Sequence, residues 1–521
     1  MPLPSSSFRL SGALFVRALG VIYLIAFASL AVQVIGLAGH NGILPAGTFL
    51  DAVRAQVGPE RYWDVPTLFW WTGAGDGMLR AACWTGAAIG AAVAAGFVPR
   101  LGLALAWLLY LSLATVCRTF LNFQWDALLL EAGFLALFVA PGGVWRPLAA
   151  APDPPRWAFF LVRYLLFRLM FSSGVVKLAS GDAAWWELRA LDVHYMTQPI
   201  PTWTAWYAHQ MPHIWQAMST ALMFVIELLA PWFIFAPRRW RLAAFAALAG
   251  LQILIAATGN YAFFNLLTLT LCLPLVDDAV WPARLRRRLG AQAGPRPATA
   301  ADSPAVASPA TAPEATAVVA AAAWPAAATW PARVRRIAVA MAVALLVALS
   351  TAAMTARWRL ALPWPSVVTA LAEALQPLRI VNAYGLFAVM TPTRPEIIVE
   401  GSEDGSTWRA YEFRWKPGDV NRAPAFVAPH QPRLDWQMWF AALSEYRRQP
   451  WFQNLLVRLL QGSPEVLALL ETNPFPDRPP RYVRAVLHDY RFTDLATRHA
   501  TGAWWSRDVL RLYAPPASMQ R

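Results

Sequence analysis

Long apolar segments separated by short polar turns dominate the pattern of this chain. Nine of them approach the length of about 17–25 residues that a helix needs to cross a bilayer. They occupy residues 12–37, 79–98, 101–117, 123–141, 157–178, 214–236, 240–258, 261–276 and 337–355. The pattern therefore predicts a polytopic α-helical membrane protein with about nine transmembrane helices, of which the third and the eighth are short.

Basic residues gather at alternate ends of these segments. The arginines on one side are Arg100, Arg146, Arg156, Arg238, Arg239, Arg241, Arg284, Arg286, Arg287, Arg288, Arg333, Arg335 and Arg336. The turns on the other side, residues 118–122 and 259–260, hold one base or none. Because cytoplasmic loops carry the excess of Lys and Arg, we expect a cytoplasmic N-terminus, and nine spans then put the C-terminus outside.

The composition changes abruptly after the eighth segment. Residues 290–332 are mostly Ala, Pro, Thr and Ser. Such a stretch cannot bury a core, so we expect a disordered cytoplasmic linker. It separates an eight-span membrane bundle, residues 1–289, from a ninth span with its juxtamembrane segment, residues 333–378.

Residues 379–521 have the pattern of a separate folded domain. The stretch PEIIVEGSEDGSTWRAYEFRW alternates apolar and polar residues on both sides of an Asp-Gly turn, which predicts a β-hairpin. The stretch PRYVRAVLHDYRF alternates as well, and the sequence between them has helical spacing with a helix-start signature at Ser463. We therefore expect an extracytoplasmic α+β domain of about 140 residues, a usual size for a domain.

The composition supports a membrane location and argues against other classes of protein. The chain has 521 residues, of which 57% are hydrophobic and 14% are charged, whereas soluble domains carry about a quarter charged residues. The net charge of +14 lies largely in clusters beside the apolar segments, so we expect membrane lipid rather than nucleic acid as a partner. The three cysteines, Cys83, Cys117 and Cys272, form no CxxC pair, which argues against a disulfide scaffold or a zinc–cysteine site.

Ionisable residues lie within the apolar segments, and they include Asp126, Glu131, Arg168 and Glu227. Glu131, Arg168 and Glu227 each fall roughly 15–16 Å along a helix from the same inner face. An unpaired charge is costly at that depth, so they form either a structural ion triad that fixes helix register or a polar site that faces a cavity. Asp126 lies near the outer end of its segment, and we interpret it as a helix cap.

Lys177 lies at the outer end of the fifth segment, in the stretch FSSGVVKLASGDAAWW. The favoured interpretation is a lysine that extends from a helix end to the membrane interface. The alternative is a lysine that gives up its proton in a partly dry pocket and then acts as a base. If this alternative holds, His194 is a second candidate catalytic residue beside Lys177.

The outer loop, residues 179–213, is long and rich in aromatic residues. Its candidates for partner binding are Tyr195, Gln198, Trp203, His209 and His213. The spacing of the last two histidines is one that a metal site can use, but Pro212 between them disturbs the helical geometry and no third ligand follows. We therefore expect a lid over the bundle mouth that binds partners or lipids, and no metal.

Motifs of conventional enzyme chemistry are absent from the sequence. It contains no Walker motif, no GxGxxG followed by an acid, no GxSxG elbow and no HExxH. Nucleotide, dinucleotide, hydrolase and zinc-protease chemistry therefore find no support, and we expect no cofactor.

Several blocks of the sequence resemble the lipase maturation factor family. In the apolar part they are NFQWDALLLEAGFLALFVAP, RLMFSSGVVKLASGDAAWWEL, HYMTQPIPTWTAWYAHQMP, IELLAPWFIFAPRR and GNYAFFNLLTLTLCLPLVDD. In the tail they are YEFRWKPGDVNRAPAFVAPHQPRLDWQMWFAAL and NPFPDRPPRYVRA. The resemblance runs from about residue 36 to residue 492 and is interrupted by the linker.

This resemblance implies a function. The vertebrate members are polytopic proteins of the endoplasmic-reticulum membrane that dimeric lipases need in order to mature, and their lumenal C-terminal domain corresponds to the outer tail of this chain. The lumenal-side cysteines of a redox-coupled helper are missing here, so disulfide-linked chemistry is not expected. The alanine-rich composition indicates a bacterial protein, for which the membrane is the inner one and the tail is periplasmic.

A more remote resemblance links the apolar part to the membrane bundle of vitamin K-dependent gamma-carboxylase. In that enzyme a GxxKL block supplies the lysine that acts as a base on the reduced quinone. Here GVVKL places Lys177 at the matching position. The resemblance favours a functional role for Lys177 without establishing catalysis.

Two functions remain open from the sequence alone. The first is a maturation and assembly factor, without enzymatic activity, that holds a secreted client such as a lipase on its outer face. The second is an integral-membrane enzyme that acts on a lipid-soluble substrate in a polar intramembrane pocket. The aromatic outer domain and the family resemblance favour the first, whereas the buried ionisable groups favour the second.

The predicted topology has a direct test. A reporter that is active only in the cytoplasm should be silent when it is fused after Arg521, because nine spans that start inside end outside. The measurement is reporter activity in whole cells, with the same reporter inserted in the linker as a positive control. Strong activity after Arg521 would contradict the count of nine spans.

Overall fold

The computed structural model describes residues 7–288 and 332–519. Residues 290–331 of the predicted linker lie outside the described residues. The described chain forms a helical bundle and a C-terminal domain that contains a β-sheet.

Most of the described chain up to residue 375 is helical. Its helices are α1 (Arg9–Ala31), α2 (Val34–Ala38), α3 (Ala46–Val57), α4 (Arg61–Asp64), α5 (Phe69–Thr72), α6 (Asp76–Ala95), α7 (Pro99–Val116), α8 (Gln124–Val139), α9 (Arg156–Ala179), α10 (Ala183–Trp186), α11 (Ala190–Thr197), α12 (Trp203–His209), α13 (His213–Leu228), α14 (Arg238–Thr258), α15 (Phe264–Cys272), α16 (Ala283–Arg288), α17 (Ala332–Arg357) and α18 (Ser366–Leu375). Short 3₁₀ helices extend two of the spans, at Ala230–Phe235 after α13 and at Leu273–Leu275 after α15.

Seven helices of the described chain are long and apolar enough to cross a membrane. They are α1, α6, α7, α9, α13 with its extension to Phe235, α14 and α17. The other two predicted spans are also helical but shorter, since α8 has 16 residues and α15 with its 3₁₀ turn covers Phe264–Leu275. The predicted fold class is confirmed, and the number of spans is approximate.

Glycines allow α1 and α6 to lie very close together. A Cβ atom on Gly90 of α6 would lie 2.6 Å from the backbone nitrogen of Leu24, and one on Gly20 of α1 would lie 2.6 Å from that of Ala94. A larger residue at either position would push the helices apart. Small residues at such crossings are typical of membrane bundles, where close packing replaces the hydrophobic effect as the force between helices.

Polar contacts distinguish the two ends of the bundle. At one end, Asp277 after α15 accepts hydrogen bonds from Arg238 (2.7 Å) and Arg241 (3.1 Å) at the start of α14. At the same end, Arg100 at the start of α7 donates to the carbonyl of Ala140 after α8 (2.9 Å). This basic end lies opposite the end on which the C-terminal domain packs.

The C-terminal domain combines a five-stranded sheet with short helices. Its elements are β1 (Arg394–Ser402), β2 (Arg409–Phe413), α19 (Arg433–Ala442), α20 (Pro450–Gln461), α21 (Pro464–Leu467), β3 (Leu470–Thr472), β4 (Tyr482–Phe492), α22 (Leu495–Thr501) and β5 (Trp505–Ala517). The strand order is β3-β2-β1-β4-β5, and all neighbours are antiparallel. The predicted hairpin is formed by β1 and β2, and Ser463 caps α21 by accepting the amide of Val466.

Both faces of this sheet are covered at its central strand β1. Val399 of β1 belongs to a core with Phe452 of α20, which packs its ring 5.3 Å from that of Tyr513 in β5. The next residue along β1 points to the other face, and there Ile398 belongs to a cluster with Trp206 of α12. The outer loop is therefore packed onto the sheet and is continuous with the domain.

Arg394 fastens the outer loop to the start of β1. Its guanidinium is fully buried and donates to the backbone carbonyls of Met196 (2.7 Å) and Pro199 (2.8 Å). It also pairs with Glu396 at 2.7 Å. One charged group thus satisfies carbonyls of a turn that would otherwise be buried without donors.

Candidate functional site

Asp126 lies at the start of α8, at the end of the bundle that carries the C-terminal domain. Its carboxylate accepts the backbone amide of Phe123 (3.2 Å), as a helix-capping residue does. It also accepts two hydrogen bonds from the guanidinium of Arg433 at 2.9 and 3.1 Å, and both side chains are fully buried. The predicted capping contact is present, and the same carboxylate forms an ion pair between the bundle and α19.

Glu131 and Arg168 form the buried ion pair that their matched depths predict. The second oxygen of Glu131 accepts hydrogen bonds from the hydroxyl of Tyr384 (2.7 Å) and the backbone amide of Asn382 (2.9 Å). Arg168 donates to the carbonyl of Asn382 (3.0 Å). The segment between α18 and β1 therefore enters the bundle and supplies hydrogen-bond partners to both charges, as buried ions require.

Glu227 does not reach this pair, so the expected ion triad is not formed. It accepts a hydrogen bond from Lys177 instead, with Nζ and Oε2 2.6 Å apart. One reason is the 3₁₀ helix Ala230–Phe235, which rises about 2.0 Å per residue rather than about 1.5 Å and so places Glu227 farther from the basic end. The other is that Lys177 turns back along α9, where Nζ donates to the carbonyl of Ser173 (3.2 Å).

Lys177 and Glu227 lie on the wall of a cavity of about 310 Å³ between α9, α13 and α14. Most of the wall is apolar and is formed by Leu169, Met170, Leu222, Met223, Ile226, Leu251, Leu254, Ile255, Phe264, Leu386 and Phe387. His194 of α11 and Tyr261 before α15 also lie on the wall. The cavity therefore brings together the two candidate catalytic residues, Lys177 and His194.

A hydrogen-bonded chain holds His194 at the cavity. Tyr261 donates its hydroxyl proton to Oε1 of Gln198 (2.9 Å), and its oxygen lies 3.0 Å from Nε2 of His194. A hydroxyl has one proton, so Nε2 is the donor of the second contact and Nδ1 is an acceptor. Nδ1 is buried and has no partner among the described residues. Burial, and next the charge of Lys177, lower the pKa of His194 to about 4, so the ring is neutral near neutral pH.

Three other candidates of the outer loop have different surroundings. Tyr195 lines the same cavity. Gln198 is buried and donates to the carbonyl of Thr258 (2.8 Å), which ties the loop to α14. Trp203 is 45% exposed and contacts Phe426 of the C-terminal domain, with ring centroids 5.8 Å apart. The first two thus belong to the cavity and its support, and Trp203 belongs to the outer surface.

The two histidines with helical spacing point to different partners. His213 begins α13 and lies 2.9 Å from a carboxylate oxygen of Asp192. His209 packs against Phe492 of β4, with ring centroids 5.5 Å apart. Over residues 7–288 and 332–519, no group of three or more His, Cys, Asp or Glu residues is arranged to hold a metal ion.

The C-terminal part of the chain contributes partners that the sequence patterns did not identify. Arg433 pairs with a residue 307 positions away, and Tyr384 bonds to one 253 positions away. Neither helical spacing nor depth in the membrane can connect residues so far apart. The sequence did carry one signal: an acidic residue in an apolar segment needs a basic residue or a hydrogen-bond donor, and that partner can come from a distant part of the chain.

Two family models match the chain. The model described as "Lipase maturation factor transmembrane domain" matches residues 10–283, and the one described as "Lipase maturation factor C-terminal domain" matches residues 380–515. The first match covers the bundle from α1 to the start of α16, including the cavity helices. The second covers the domain that supplies Arg433 and Tyr384.

Known proteins also align with the chain over most of their sequence. Lipase maturation factor 2 of Gallus gallus is 39% identical over 589 aligned residues, which cover 97% of this chain and 81% of the relative. Lipase maturation factor 2 of Homo sapiens is 36% identical, with coverage of 98% and 83%. Lipase maturation factor 1 of Bos taurus is 34% identical, with coverage of 99% and 91%. No solved structure gives a significant match.

Removing the charge of Arg168 should destabilise the bundle strongly. Arg168→Leu leaves Glu131 buried without its cation, and a stranded member of a buried ion pair costs about 3–5 kcal/mol. Glu131→Gln should cost less, because its amide oxygen can still accept a hydrogen bond from Arg168. The measurement is the thermal unfolding temperature of the detergent-solubilised protein.

Arg239→Leu is the matched control for this comparison, because Arg239 is exposed at the basic end of the bundle. It should unfold at the temperature of the parent. If Arg168→Leu also unfolds at that temperature, the pair with Glu131 contributes nothing to the folded state and the interpretation is wrong.

Removing Arg433 should loosen the C-terminal domain from the bundle. Arg433→Met strands the carboxylate of Asp126 in a fully buried position, whereas the double variant Asp126→Asn/Arg433→Met strands no charge and should behave more like the parent. The measurement is the rate of limited proteolysis between α18 and β1 in detergent. Equal rates in the single and double variants would contradict a stranded charge as the cause of loosening.

Proposed function

This chain belongs to the lipase maturation factor family, and we propose that it holds a secreted lipase on its outer face while that client matures. The maturation role rests on the family. The outer face is the end of the bundle that carries the outer loop and the C-terminal domain. The observation that supports client holding there is the free edge of the sheet at β5.

The orientation of the chain is part of this proposal. The basic residues lie at the end of the bundle opposite the C-terminal domain, where Arg238 and Arg241 contact Asp277. Excess positive charge marks the cytoplasmic side of a membrane protein. In the inner membrane of a bacterium the C-terminal domain then faces the periplasm, through which secreted enzymes pass.

β5 is an edge strand of the sheet. It has 13 residues, and within the part of the chain that the structure describes it pairs only with β4. Residues 506–512 are all exposed, and Val509, Leu510 and Leu512 among them are 69%, 54% and 45% exposed. Natural sheets usually protect such an edge, because its unpaired N–H and C=O groups recruit another strand. β5 therefore offers backbone groups and apolar side chains to a partner at the same time.

A client that has not finished folding presents the complementary surface. Such a chain exposes apolar side chains and unpaired strand edges. When an extended segment adds to a sheet, backbone hydrogen bonds supply affinity and alternate side chains supply specificity. Holding the client in this way keeps its edge from pairing with another copy until its own sheet closes.

The edge has a fixed position relative to the membrane, because the domain is fastened to the bundle at several points. Arg433 pairs with Asp126 at one of them. At another, the side-chain oxygen of Asn260, in the turn after α14, accepts the amides of Val427 (2.7 Å) and Ala428 (3.0 Å). A client bound at β5 is thus held at a set distance from the lipid surface.

A second candidate function is an integral-membrane enzyme that acts on a lipid-soluble substrate. The observation that favours it is the cavity that brings Lys177, Glu227 and His194 together. However, the ammonium of Lys177 is bound to Glu227 at 2.6 Å, and an ion-paired ammonium has no lone pair with which to accept a proton. Base catalysis therefore requires this pair to open first, so we place the maturation role ahead of it.

Charging the edge of β5 should reduce maturation of the client. The double variant Val509→Lys/Leu510→Lys puts two charges on the strand, a device that natural sheets use against edge pairing. In cells whose own copy is deleted, we expect a secreted lipase of the same organism to lose activity per mass of enzyme when the variant replaces the parent. The measurement is lipase activity in the secreted fraction, normalised to lipase protein by immunoblot.

Leu495→Lys is the control, because Leu495 in α22 is 58% exposed in the same domain but lies away from the β5 edge. It should support the parental lipase activity. Full activity with the β5 variant would contradict β5 as the docking edge, whereas full activity after deletion of the whole chain would contradict the maturation role itself.

A further inference from the structure

The cavity beside Lys177 opens toward the lipid. Leu222 of α13 and Leu254 of α14 both line it, yet they are 56% and 63% exposed on the chain. Their neighbours Val225 and Ile253 are 52% and 58% exposed on the same helices. Residues that belong to both a cavity wall and an open surface mark the mouth of the cavity. Because α13 and α14 are membrane spans, this mouth faces hydrocarbon.

Two buried polar groups on the cavity wall lack a full set of partners. Nδ1 of His194 is an acceptor without a partner among the described residues. Gln252 is 3% exposed, and its amide nitrogen donates to the sulfur of Met170 at 3.7 Å, while its oxygen is occupied by Asn265. A thioether is a weak acceptor. Two residues of the wall thus carry an acceptor and a donor that the protein does not fully use, and native proteins rarely leave such groups unused.

The described wall of the cavity carries no net charge. Lys177 and Glu227 neutralise each other at 2.6 Å. His194 is neutral, and the other polar residues on the wall have hydroxyl or amide side chains. A phosphate or a carboxylate would find no unpaired cation on the described wall, and a buried anion without one is strongly disfavoured. The wall thus favours an uncharged ligand.

We propose that this cavity binds an uncharged single-chain lipid whose head group carries a hydroxyl or a carbonyl. A hydroxyl donates to Nδ1 of His194, and a carbonyl accepts from the amide of Gln252. The volume of about 310 Å³ lies at the small end of the range of about 300–1,000 Å³ for ligand sites, which suits one chain rather than two. The lipid enters sideways between α13 and α14. This site is distinct from the β5 edge and goes beyond the holding of a client.

A photoreactive monoacylglycerol with a diazirine in its acyl chain tests the proposal. The full-length protein in phosphatidylcholine nanodiscs is irradiated with this probe, and mass spectrometry locates the label. We expect the label on the cavity-lining peptides of α13 and α14, and we expect an excess of unlabelled monoacylglycerol to remove it. The same lipid with a phosphate on its head group should compete about tenfold less well, since that factor corresponds to about 1.4 kcal/mol of binding energy.

A matched pair of tryptophan variants separates the cavity from ordinary lipid contact. Ala257 lines the cavity and is exposed on α14, so Ala257→Trp fills the mouth without disturbing the buried core. Ala246 is also exposed on α14 but does not line the cavity. Labelling should fall about tenfold in Ala257→Trp and stay at the parental level in Ala246→Trp.

The charge of the wall provides an independent test. Glu227→Gln leaves the ammonium of Lys177 without its carboxylate, so competition by the phosphate-bearing lipid should improve about tenfold relative to the parent. If this variant does not purify as a single folded species, the comparison of Ala257→Trp with Ala246→Trp tests the proposal by itself. Three results would each overturn the proposal. The first is equal labelling of the two tryptophan variants, and the second is label that is spread evenly over all lipid-facing helices. The third is better competition by the phosphate-bearing lipid than by monoacylglycerol in the parent.

Discussion

Asp126 and Arg433 are both fully buried, and 307 residues separate them along the chain. A carboxylate or a guanidinium that is stranded in an apolar interior is strongly destabilising, so each of them needs the other in the folded protein. Their pairing places the start of α19 against the start of α8. The C-terminal domain is therefore positioned in part by a charge that belongs to the bundle.

The same requirement places the segment before β1 inside the bundle. In the pair of Glu131 and Arg168, the second carboxylate oxygen accepts hydrogen bonds from Asn382 and Tyr384, and the guanidinium donates to the carbonyl of Asn382. Because the backbone of this segment is itself polar, it gains partners for its own amide and carbonyl at the same time. Bundle and domain consequently share buried hydrogen bonds, and we expect them to unfold as one cooperative unit rather than as two independent parts.

Local regularity explains which features were predictable from the sequence. The spans, the β1–β2 hairpin and the Ser463 cap follow from periodicity and turn chemistry, and the pair of Glu131 and Arg168 follows from counting along regular helices. The counting failed for Glu227, because a 3₁₀ helix interrupts the regular rise between it and the basic end. The strand β5 was not predicted, because its buried and exposed positions do not alternate. The role of Arg433 was not predicted either, because no local rule links it to Asp126. The sequence thus predicted the elements well and the partners between distant elements poorly.

Charge pairing also determines what the bundle can enclose. Arg168 already forms an ion pair with Glu131, so Glu227 pairs with Lys177 instead. This second ion pair turns the lysine side chain into the bundle, and it leaves the cavity wall without net charge. A space of this kind that opens to hydrocarbon is suited to a lipid rather than to water, which needs several polar partners. Part of its wall is Phe387, a few residues beyond the segment that satisfies Glu131, and another part is the outer loop that packs on the sheet. The wall of the cavity and the position of the C-terminal domain therefore depend on the same short stretch of chain.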